Sequence, residues 1–397
     1  MKDELVLVLN CGSSSVKFAI LHPAVGNTLL EGIIRGIGLA ASNLHYVFGA
    51  KESNHSLGHI NYSQAIEEII KTIRQSSDYL DHIVVVGHRV VHGGERFTSS
   101  VVIDSAVLDA IRACQHLAPL HNPPNIAGIE AISRMFSDLP QVAVFDTAFH
   151  QTMPDYAYLY AVSDRFYKEY GVRRYGFHGT SHRFVTQEAA KLLNRSINEC
   201  AFVSAHLGNG CSAAAVKNGK SIDTTMGLTP LEGLMMGTRS GDIDPGFHVY
   251  MTEQLKCDVK EVTRILNHDS GLLGISGKTS DMCELKKLAD AGDARAQLAR
   301  AMFSYRVAKY VAALAVPLGR IDALIFTGGI GENDVGIRAE ILKWLNILRF
   351  KVDQKSNALH GKNNHAIITQ KGSTVAMVIR TNEEYLIAQD AFALIRR

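Results

Sequence analysis

One strand–turn–strand plan occurs twice along the chain, and this repeat restricts the fold more than any other feature. Leu5–Leu9 is a continuous apolar run typical of a buried strand, Asn10–Ser15 is a turn of small residues, and Val16–Leu21 is a second strand-like run. The same plan returns over residues 201–217. The repeat therefore predicts a second α/β unit that opens with the same plan as the first.

Length agrees with two lobes, because 397 residues exceed what one hydrophobic core usually serves. A cleft between two domains is then the natural place for a site, and we expect the first domain to end near residue 150. Helices are predicted over residues 63–75, 105–115, from 124, 291–318 and 334–345. Further strands are predicted over residues 82–87, 142–145, 323–327 and 374–379, with a turn over 328–333.

Charge and cysteine usage exclude several classes of protein. Lys plus Arg number 41 against 39 for Asp plus Glu, so no broad basic surface favours nucleic acid or an anionic membrane. The six cysteines are scattered, as expected for reduced thiols rather than for a disulfide framework or a zinc site. The apolar run near the N-terminus is too short for a membrane span. We expect a cytoplasmic protein with neither nucleic acid nor membrane as a partner.

Three small-residue turns follow strands, at residues 12–15, 208–210 and 328–331. Backbone N–H groups can approach phosphate oxygens only where side chains are short, so these turns suit a nucleotide. Ser13, Ser15 and Lys17 add two hydroxyls and a cation to the first turn, although it lacks the Gly-Lys-Ser/Thr run of a P-loop. A single turn of this kind is ordinary loop chemistry, but three together predict a nucleotide site.

Cationic side chains lie among glycines in three loops. Arg89 follows a strand-like run, His178 lies within Tyr-Gly-Phe-His-Gly-Thr, and Arg239 lies within Gly-Thr-Arg-Ser-Gly. Solvated loops explain one such residue well. Three loops that each present a cation beside small residues indicate a site for anions.

Three further residues carry oxygen ligands. Asp146 ends a strand, where α/β folds place catalytic groups, although a helix cap or a turn would also favour Asp. Asn10 and Glu383 lie beside loops at the two ends of the chain, and both suit magnesium. For Glu383, spacing alone favours simple stabilisation of a helix N-terminus.

These motifs, taken together, resemble the acetate kinase family, the acetokinases, nearly from end to end. The segments that carry the resemblance are Leu9–Phe18, Gly87–Gly94, Ala118–Asn122, Val144–Met153, Arg174–His182, His206–Gly210, Met226–Gly233, Gly237–Asp242, Phe326–Asn333 and Thr381–Glu384.

The resemblance implies the superfamily of acetate and sugar kinases, heat-shock chaperones and actin. The implied fold is α/β, with two duplicated actin-like (ribonuclease H-like) lobes, each a mixed central sheet with flanking helices, around an interdomain cleft. The final helix is expected to return to the first lobe. The domains would be residues 1–150 plus about 385–397, and a nucleotide-binding lobe over residues 151–384. A homodimer is implied as well.

Roles carried over from the family make Arg89 the contact for the substrate carboxylate and Asp146 the catalytic carboxylate. His178 and Arg239 stabilise the transferring phosphoryl group, and Asn10 and Glu383 contact the metal. The implied nucleotide contacts are Lys17 with Ser13 and Ser15, His206, Leu207, Gly208, Asn209, Gly210, Asp281, Met282, Cys283, Gly329, Ile330, Gly331, Glu332 and Asn333. One departure is Ser280-Asp-Met-Cys283, where relatives have Ser-Asp-x-Arg, so an arginine near the adenine or ribose is missing.

The implied activity is reversible transfer of the ATP γ-phosphoryl group to acetate. The implied cofactor is Mg²⁺, with Mn²⁺ as a substitute. Acetate is already ionised and needs no base, so we expect Asp146 to position magnesium or its waters and to orient the cations. The implied apolar wall around the substrate methyl is Val91, Leu120, Phe177 and Pro230. Because propionate-preferring relatives have a smaller residue at the position of Val91, acetate is the expected substrate.

Other functions remain in competition. A propionate kinase differs by one methylene in the pocket. A chaperone or filament ATPase of the superfamily has no need for a carboxylate-binding Arg89 and would carry a further domain after Arg397. A non-catalytic nucleotide-binding module has no need for Asp146, His178 and Arg239. A sugar kinase would require a true base for an alcohol nucleophile.

Overall fold

A computed structural model describes residues 4–119 and 121–396 of the chain. Its strands are β1 (Leu5–Cys11), β2 (Ser15–His22), β3 (Asn27–Arg35), β4 (Ser42–Phe48), β5 (Lys51–Gly58), β6 (Ile83–Val90), β7 (Val101–Val102), β8 (Gln141–Phe145), β9 (Ala201–Leu207), β10 (Cys211–Lys217), β11 (Lys220–Thr224), β12 (Ala323–Thr327) and β13 (Ala376–Val378).

Its α-helices are α1 (Tyr62–Ser76), α2 (Ser105–Ala113), α3 (Asn122–Met135), α4 (Asp155–Tyr158), α5 (Asp164–Tyr170), α6 (Gly179–Leu192), α7 (Gly246–Leu255), α8 (Val259–His268), α9 (Gly271–Ser276), α10 (Met282–Asp290), α11 (Ala294–Leu318), α12 (Gly328–Asn333), α13 (Val335–Trp344), α14 (Gln354–Ala358) and α15 (Glu383–Ile395). Short 3₁₀ helices cover Tyr79–His82, Cys114–His116, Ala148–Thr152, Ile197–Glu199 and Leu345–Leu348. In the described part of the chain, no helix has the length and apolar character needed to span a membrane.

The chain divides into two compact units. Unit 1 comprises Met1–Gln151 and Asn382–Arg397, and unit 2 comprises Thr152–Thr381. Unit 1 is discontinuous because α15 packs on β1, β6 and β8 of the first sheet. Glu383, the first residue of α15, therefore belongs to unit 1.

Among the described residues, unit 1 has a sheet in the order β5-β4-β3-β2-β1-β6-β8-β7. The pairs β1–β6 and β6–β8 are parallel, and the other neighbours are antiparallel. Side chains alternate between the faces of β1: Leu5, Leu7 and Leu9 pack in a cluster with α1, whereas Val6 and Val8 pack with α15. Both faces are covered, which explains the continuous apolar run in the sequence.

A close approach between α15 and the sheet requires glycine at position 87. A Cβ atom there would lie 2.7 Å from Cγ2 of Ile387, a distance that no real contact tolerates. The glycine lets α15 lie against β6 and bring its N-terminal residue, Glu383, to the strand end that carries Arg89.

Unit 2 repeats the central plan of unit 1. Within the described residues its sheet has the order β11-β10-β9-β12-β13, with β9–β12 and β12–β13 parallel and the two hairpin pairs antiparallel. On one face, residues of α6 pack with Phe202, Ile325 and Met377, and α11 packs on β9 and β10. The predicted fold class, α/β with two actin-like units that each have a mixed sheet and flanking helices, is confirmed.

Several local predictions need correction. The strands β3, β4 and β5 were not predicted, because residues 27–58 carry little apolar periodicity and β5 is largely exposed. The turn predicted over residues 328–333 is the short helix α12, whose first residue, Gly328, has a left-handed φ of 75°. Arg89, predicted to follow a strand, lies inside β6, since it pairs with Asn10 of β1 and Val144 of β8.

Candidate active site

In unit 1, four predicted site residues meet where the central parallel strands end. Asn10 lies near the end of β1, Arg89 near the end of β6, Asp146 directly after β8, and Glu383 at the start of α15. The parallel register sets Asn10 opposite Arg89. The carboxyl ends of neighbouring parallel strands share one edge of a sheet, and such an edge is a common place for ligands.

The Arg89 guanidinium is held on one side by a buried carboxylate. Its Nε donates to Oδ1 of Asp146 at 3.0 Å, and its Nη2 donates to Oδ2 at 2.5 Å. Nη1 donates to Oδ1 of Asn10 at 3.1 Å. The Asp146 side chain is 1% exposed and that of Arg89 is 21% exposed. Three of the five N–H groups of Arg89 are thus used by the described residues, which leaves one on each terminal nitrogen.

Glu383 completes this cluster as a carboxyl group in an unfavourable environment. Its Oε2 lies 3.9 Å from Nε of Arg89, too far for a hydrogen bond. Burial raises the pKa of Glu383 to about 7, and the carboxylates of Asp146 and Glu384 add to this, while Arg89 and Lys17 oppose it. Burial would lower the pKa of Arg89, but the surrounding carboxylates of Asp146, Glu383 and Glu384 raise it above its ordinary value. The cluster therefore centres on the Arg89 cation, with several carboxyl groups around it.

Asn125 of α3 holds the loops of this edge in place, and sequence reasoning did not single it out. Its side chain accepts from the backbone N–H of Val91 at 3.0 Å and donates to the carbonyl of Cys11 at 2.7 Å. Asn122 similarly accepts from the N–H of His92 at 3.1 Å. The two amides are the only polar side chains among the buried residues of α3, and buried polar groups are normally hydrogen-bonded. Asparagines among apolar residues at the start of this helix were the available signal.

The predicted substrate wall falls partly in unit 1 and partly in unit 2. Val91 is buried at the end of β6, and Phe177 and Pro230 belong to unit 2. Leu120 lies outside the described residues.

In the first glycine turn, Gly12 N–H donates to the carbonyl of Ser15 at 2.7 Å.

The two serines and the lysine predicted for this turn lie at its surface or border. Ser13 is exposed in the loop, Ser15 begins β2, and Lys17 is an exposed residue of β2 opposite Asn10. Lys17 therefore brings a second cation to the edge that carries Arg89.

In unit 2, His178 and Arg239 flank Gly210. A Cβ atom on Gly210 would lie 3.5 Å from Cε1 of His178 and 3.6 Å from Nη1 of Arg239, so both side chains lie beside the turn between β9 and β10. His178 has a left-handed φ of 56° and precedes α6. The loop that carries Arg239 is fixed to the same turn, because the N–H of Gly237 donates to the carbonyl of Asn209 at 3.0 Å.

Arg239 is a cation without an anionic partner in the part of the chain that the structure describes. Its Nη1 contacts the carbonyl of Pro230 at 3.2 Å and Sδ of Met236 at 3.8 Å, and it forms no salt bridge. Burial lowers the pKa of Arg239 from its ordinary value. A partly buried arginine that no carboxylate neutralises is suited to receive an anionic ligand.

A pocket of about 740 Å³ lies in unit 2, within the size range of nucleotide and drug sites. Half of the predicted nucleotide contacts line it, and they come from three separate segments. Those that line it are Gly208, Asn209, Asp281, Met282, Cys283, Gly329, Ile330 and Asn333. Lys286 and Lys287 also line it and were not predicted, although they follow Cys283 on α10 at the three- and four-residue spacing that defines one helix face.

The remaining predicted nucleotide contacts do not line this pocket. Leu207 is fully buried in β9, and His206 stacks on His178 with ring centroids 4.4 Å apart. The Glu332 carboxylate is directed to the protein itself: Oε1 accepts from the N–H groups of Gly328 and Thr381, both at 3.1 Å. The carbonyl of Gly331 accepts from Nη1 of the buried Arg338 at 2.9 Å.

The oxygen ligands of unit 1 are compatible with magnesium. Within residues 4–119 and 121–396, no group of three or more His, Cys, Asp or Glu side chains is arranged to hold a metal ion. Mg²⁺, however, usually binds proteins through one or two carboxylates and keeps several waters. Glu383, Asp146 and the amide oxygen of Asn10 offer such a donor set around Arg89.

Two actin-like α/β units, one with a pocket of nucleotide size, define the class of protein, and comparison with known proteins identifies the family. The acetokinase family model matches residues 5–389. An acetate kinase of Shewanella amazonensis (strain ATCC BAA-1098 / SB2B) is 49% identical over 399 residues and covers 100% of both chains. The chain belongs to the acetokinase family.

Two solved structures are similar over nearly the whole chain. A propionate kinase from Francisella tularensis subsp. tularensis SCHU S4 has a TM-score of 0.94 and 46% identity, covering 98% of this chain and 100% of that one. An acetate kinase from Porphyromonas gingivalis has a TM-score of 0.92 and 39% identity, covering 99% and 100%.

Proposed function

We propose that this chain is an acetate kinase, which transfers the γ-phosphoryl group of ATP to acetate and forms acetyl phosphate and ADP reversibly. The observation that carries the proposal is the pair of N–H groups left on the terminal nitrogens of Arg89 while Asp146 and Asn10 hold the rest of the guanidinium. Two parallel N–H groups match the two oxygens of a carboxylate, and such bidentate pairs are the strong ones.

The acceptor needs no general base in this reaction. A carboxylate is ionised at neutral pH, so its oxygen attacks the γ-phosphorus without giving up a proton. Both oxygens of Asp146 accept from Arg89, which supports a positioning role: Asp146 fixes the plane of the guanidinium and, through it, the direction of the substrate oxygen.

Nucleotide binding is assigned to unit 2. The turn at residues 208–210 and the glycine-rich segment 329–331 of α12 offer backbone N–H groups to phosphate oxygens, and the pocket beside them takes the base and ribose. His178 and Arg239, on either side of Gly210, donate hydrogen bonds to the oxygens of the transferring phosphoryl group. Charge builds up on these oxygens in a loose transition state, so fixed donors there lower the barrier.

Magnesium is the cofactor we propose, with manganese as a substitute. Glu383 and Asn10 would hold it directly or through water, with Asp146 beside them. The ion would neutralise charge on the nucleotide phosphates. Lys17, exposed on β2 opposite Asn10, adds a second cation on the same edge.

Propionate kinase is the second candidate, favoured by the likeness to a solved propionate kinase. The discriminating feature is the volume beside Val91, a buried side chain that leaves less room than a smaller residue would. One methylene in such a pocket changes discrimination by about 1–3 kcal/mol. Acetate is thus the preferred substrate, and propionate is accepted less efficiently.

The test is an acyl phosphate assay in which hydroxylamine traps the product as a hydroxamate, with acetate, propionate and butyrate compared under identical conditions. The proposal predicts the highest kcat/KM with acetate, lower values with propionate and the lowest with butyrate. Arg89→Lys is the companion variant. It keeps the positive charge but loses the pair of N–H groups that can bind both carboxylate oxygens, so KM for acetate should rise. Absence of any trapped acyl phosphate, with ATP hydrolysis retained, would instead favour an ATPase of the superfamily.

The same proposal includes a cytoplasmic homodimer, as the family resemblance implies. Sedimentation equilibrium measures the mass directly: a dimer of the 43.4 kDa chain is expected, and a monomer at assay concentrations would exclude it.

A further inference from the structure

Behind His178, a line of alternating serine and histidine side chains runs into the core of unit 2. His178 Nδ1 lies 2.8 Å from Oγ of Ser212, which lies 2.8 Å from Nε2 of His182. His182 Nδ1 in turn lies 2.7 Å from Oγ of Ser204. Ser204, His182 and Ser212 are all fully buried. None of these three was predicted as a site residue.

Each hydroxyl in this line has one proton, and that fact links the protonation of the two rings. Ser212 lies between two ring nitrogens, so it can donate to only one of them and must accept an N–H from the other. The hydrogen bonds along the line can therefore be ordered in two ways, with all donors pointing toward His178 or all pointing away from it. In one, His178 carries its proton on Nε2; in the other, it carries a proton on Nδ1.

Ser204, at the inner end, sets the direction. Among the residues that the structure describes, the only hydrogen-bond partner of its hydroxyl is Nδ1 of His182. A buried hydroxyl without an acceptor for its proton is unfavourable, so Ser204 donates to this nitrogen. His182 must then carry its own proton on Nε2 and donate it to Ser212.

We propose that Ser204, His182 and Ser212 form a proton-ordering line that fixes His178 as the tautomer with its proton on Nε2. Ser212 is left with its proton directed at Nδ1 of His178, which therefore accepts. The remaining ring nitrogen, Nε2, presents an N–H beside Gly210 and Arg239. The three buried residues are positioning residues that act through His178.

This inference deepens the proposed function and rests on it for the catalytic consequence. A neutral imidazole that always offers an N–H can donate to a phosphoryl oxygen without first taking up a proton. If the line ran the other way, a neutral His178 would offer a lone pair to the same oxygen, which would repel it. The order of the line thus decides whether His178 stabilises or opposes charge on the phosphoryl group.

The direct test is ¹⁵N NMR of the full-length protein labelled in histidine, recorded above the range in which imidazoles normally titrate. The His178 signals are assigned from their loss in His178→Asn. The wild-type protein should show His178 as the Nε2–H tautomer and His182 likewise. A dominant Nδ1–H tautomer of His178 in the wild-type protein would overturn the proposal, whatever the activity of the enzyme.

Ser204→Ala removes the hydroxyl that sets the direction and keeps both contacts of Ser212. A mixture of His178 tautomers is expected, with kcat about tenfold lower and the KM values for acetate and ATP little changed. Ser212→Ala should have at least as large an effect on kcat. A role in stability alone would leave the tautomer of His178 unchanged in Ser204→Ala, and that result would refute the ordering.

Ser304→Ala is the matched control, because it removes an equally buried hydroxyl from α11, where Oγ contacts Glu340 at 3.4 Å. It should change neither the His178 signals nor kcat. If the wild-type protein showed no kinase activity, the proposed function would be refuted, but the tautomer of His178 would still be measured by NMR. The proposed function and the proposed tautomer can therefore fail independently.

Discussion

The two sheets share one plan but use it for different chemistry. In unit 1, β3, β2, β1, β6 and β8 have the same order and directions as β11, β10, β9, β12 and β13 in unit 2. Near the end of β1, Asn10 faces two cations across the sheet, Arg89 on β6 and Lys17 on β2. Carboxylates surround this edge, so unit 1 concentrates opposite charges.

The equivalent edge of unit 2 carries hydroxyl side chains where unit 1 has cations. His206, near the end of β9, faces Thr327 on β12 and Ser212 on β10. Hydroxyls thus replace the two cations of unit 1. The Glu332 carboxylate accepts from Oγ1 of Thr327 at 3.3 Å, whereas Arg239 has no carboxylate partner among the described residues. The shared topology determines where a ligand can bind, and the side chains at the strand ends determine which ligand it is.

Asp146→Asn should have the largest effect on stability, because it leaves the partly buried guanidinium of Arg89 without its main counter-charge. Loss of one partner from a buried pair costs about 3–5 kcal/mol. Urea unfolding measures the change. The control is Asp109→Asn, which breaks the exposed pair with Arg112 and should leave stability nearly unchanged. Equal losses in the two variants would contradict the view that unit 1 depends on a buried charge pair.

Arg239→Ala should lower turnover strongly without lowering stability, in contrast to the effect of Asp146→Asn on the stability of unit 1. Turnover is expected to fall about a hundredfold or more, by analogy with the loss of other electrostatic stabilisers. Stability should not fall, because no carboxylate is left unpaired. Steady-state kinetics and thermal unfolding give the two readouts. Near-normal turnover in this variant would remove the role assigned to Arg239.

Glu383→Gln should stabilise the protein at high pH. The folded-state pKa of Glu383, about 7, lies above its ordinary value of 4.5, so ionisation of this carboxyl opposes folding as pH rises through that window. The variant should be more stable than wild type above pH 7, by at most about 3 kcal/mol, and equal to it below 4.5. Urea unfolding at both pH values tests this, with Glu384→Gln as the control for net charge. A gain that is the same at both pH values would exclude the raised pKa as its cause.

Val91→Ala should produce the smallest change, a shift in substrate preference. The added volume is expected to raise the ratio of propionate to acetate efficiency by about tenfold, within the roughly 1–3 kcal/mol that a methylene contributes. The hydroxamate assay measures the ratio. Val90→Ala is the control, since Val90 packs in the core of unit 1 and should affect stability but not the ratio. An unchanged ratio in Val91→Ala would exclude Val91 from the substrate wall.

The repeated hairpins were predictable because each strand is buried on both faces and each turn needs small residues, and both demands are local. The strands β3, β4 and β5 were not predictable in the same way. Their side chains are largely half-buried or exposed, so pairing with β2, rather than a local apolar pattern, makes them strands.

The candidate site divides along the same line. The sequence predicted four site residues because charged or polar residues are unusual beside glycines and at the ends of buried strands: Arg89, Asp146, His178 and Arg239. Glu332 was predicted to contact nucleotide from its motif, yet its carboxylate binds backbone N–H groups of its own unit. A motif gives the residue but not the direction of its side chain.

By itself, the sequence determined the α/β class, the duplicated plan, the family and the residues able to meet two anions, because periodicity, glycine turns and residue chemistry are written in the chain. The tertiary structure determined which of these side chains contact one another. It brought Asp146 to Arg89 across 57 residues and Ser212 to His182 across 30. Hydrogen bonds act over about 3 Å, and contacts between residues so distant in sequence exist only after the sheets have formed.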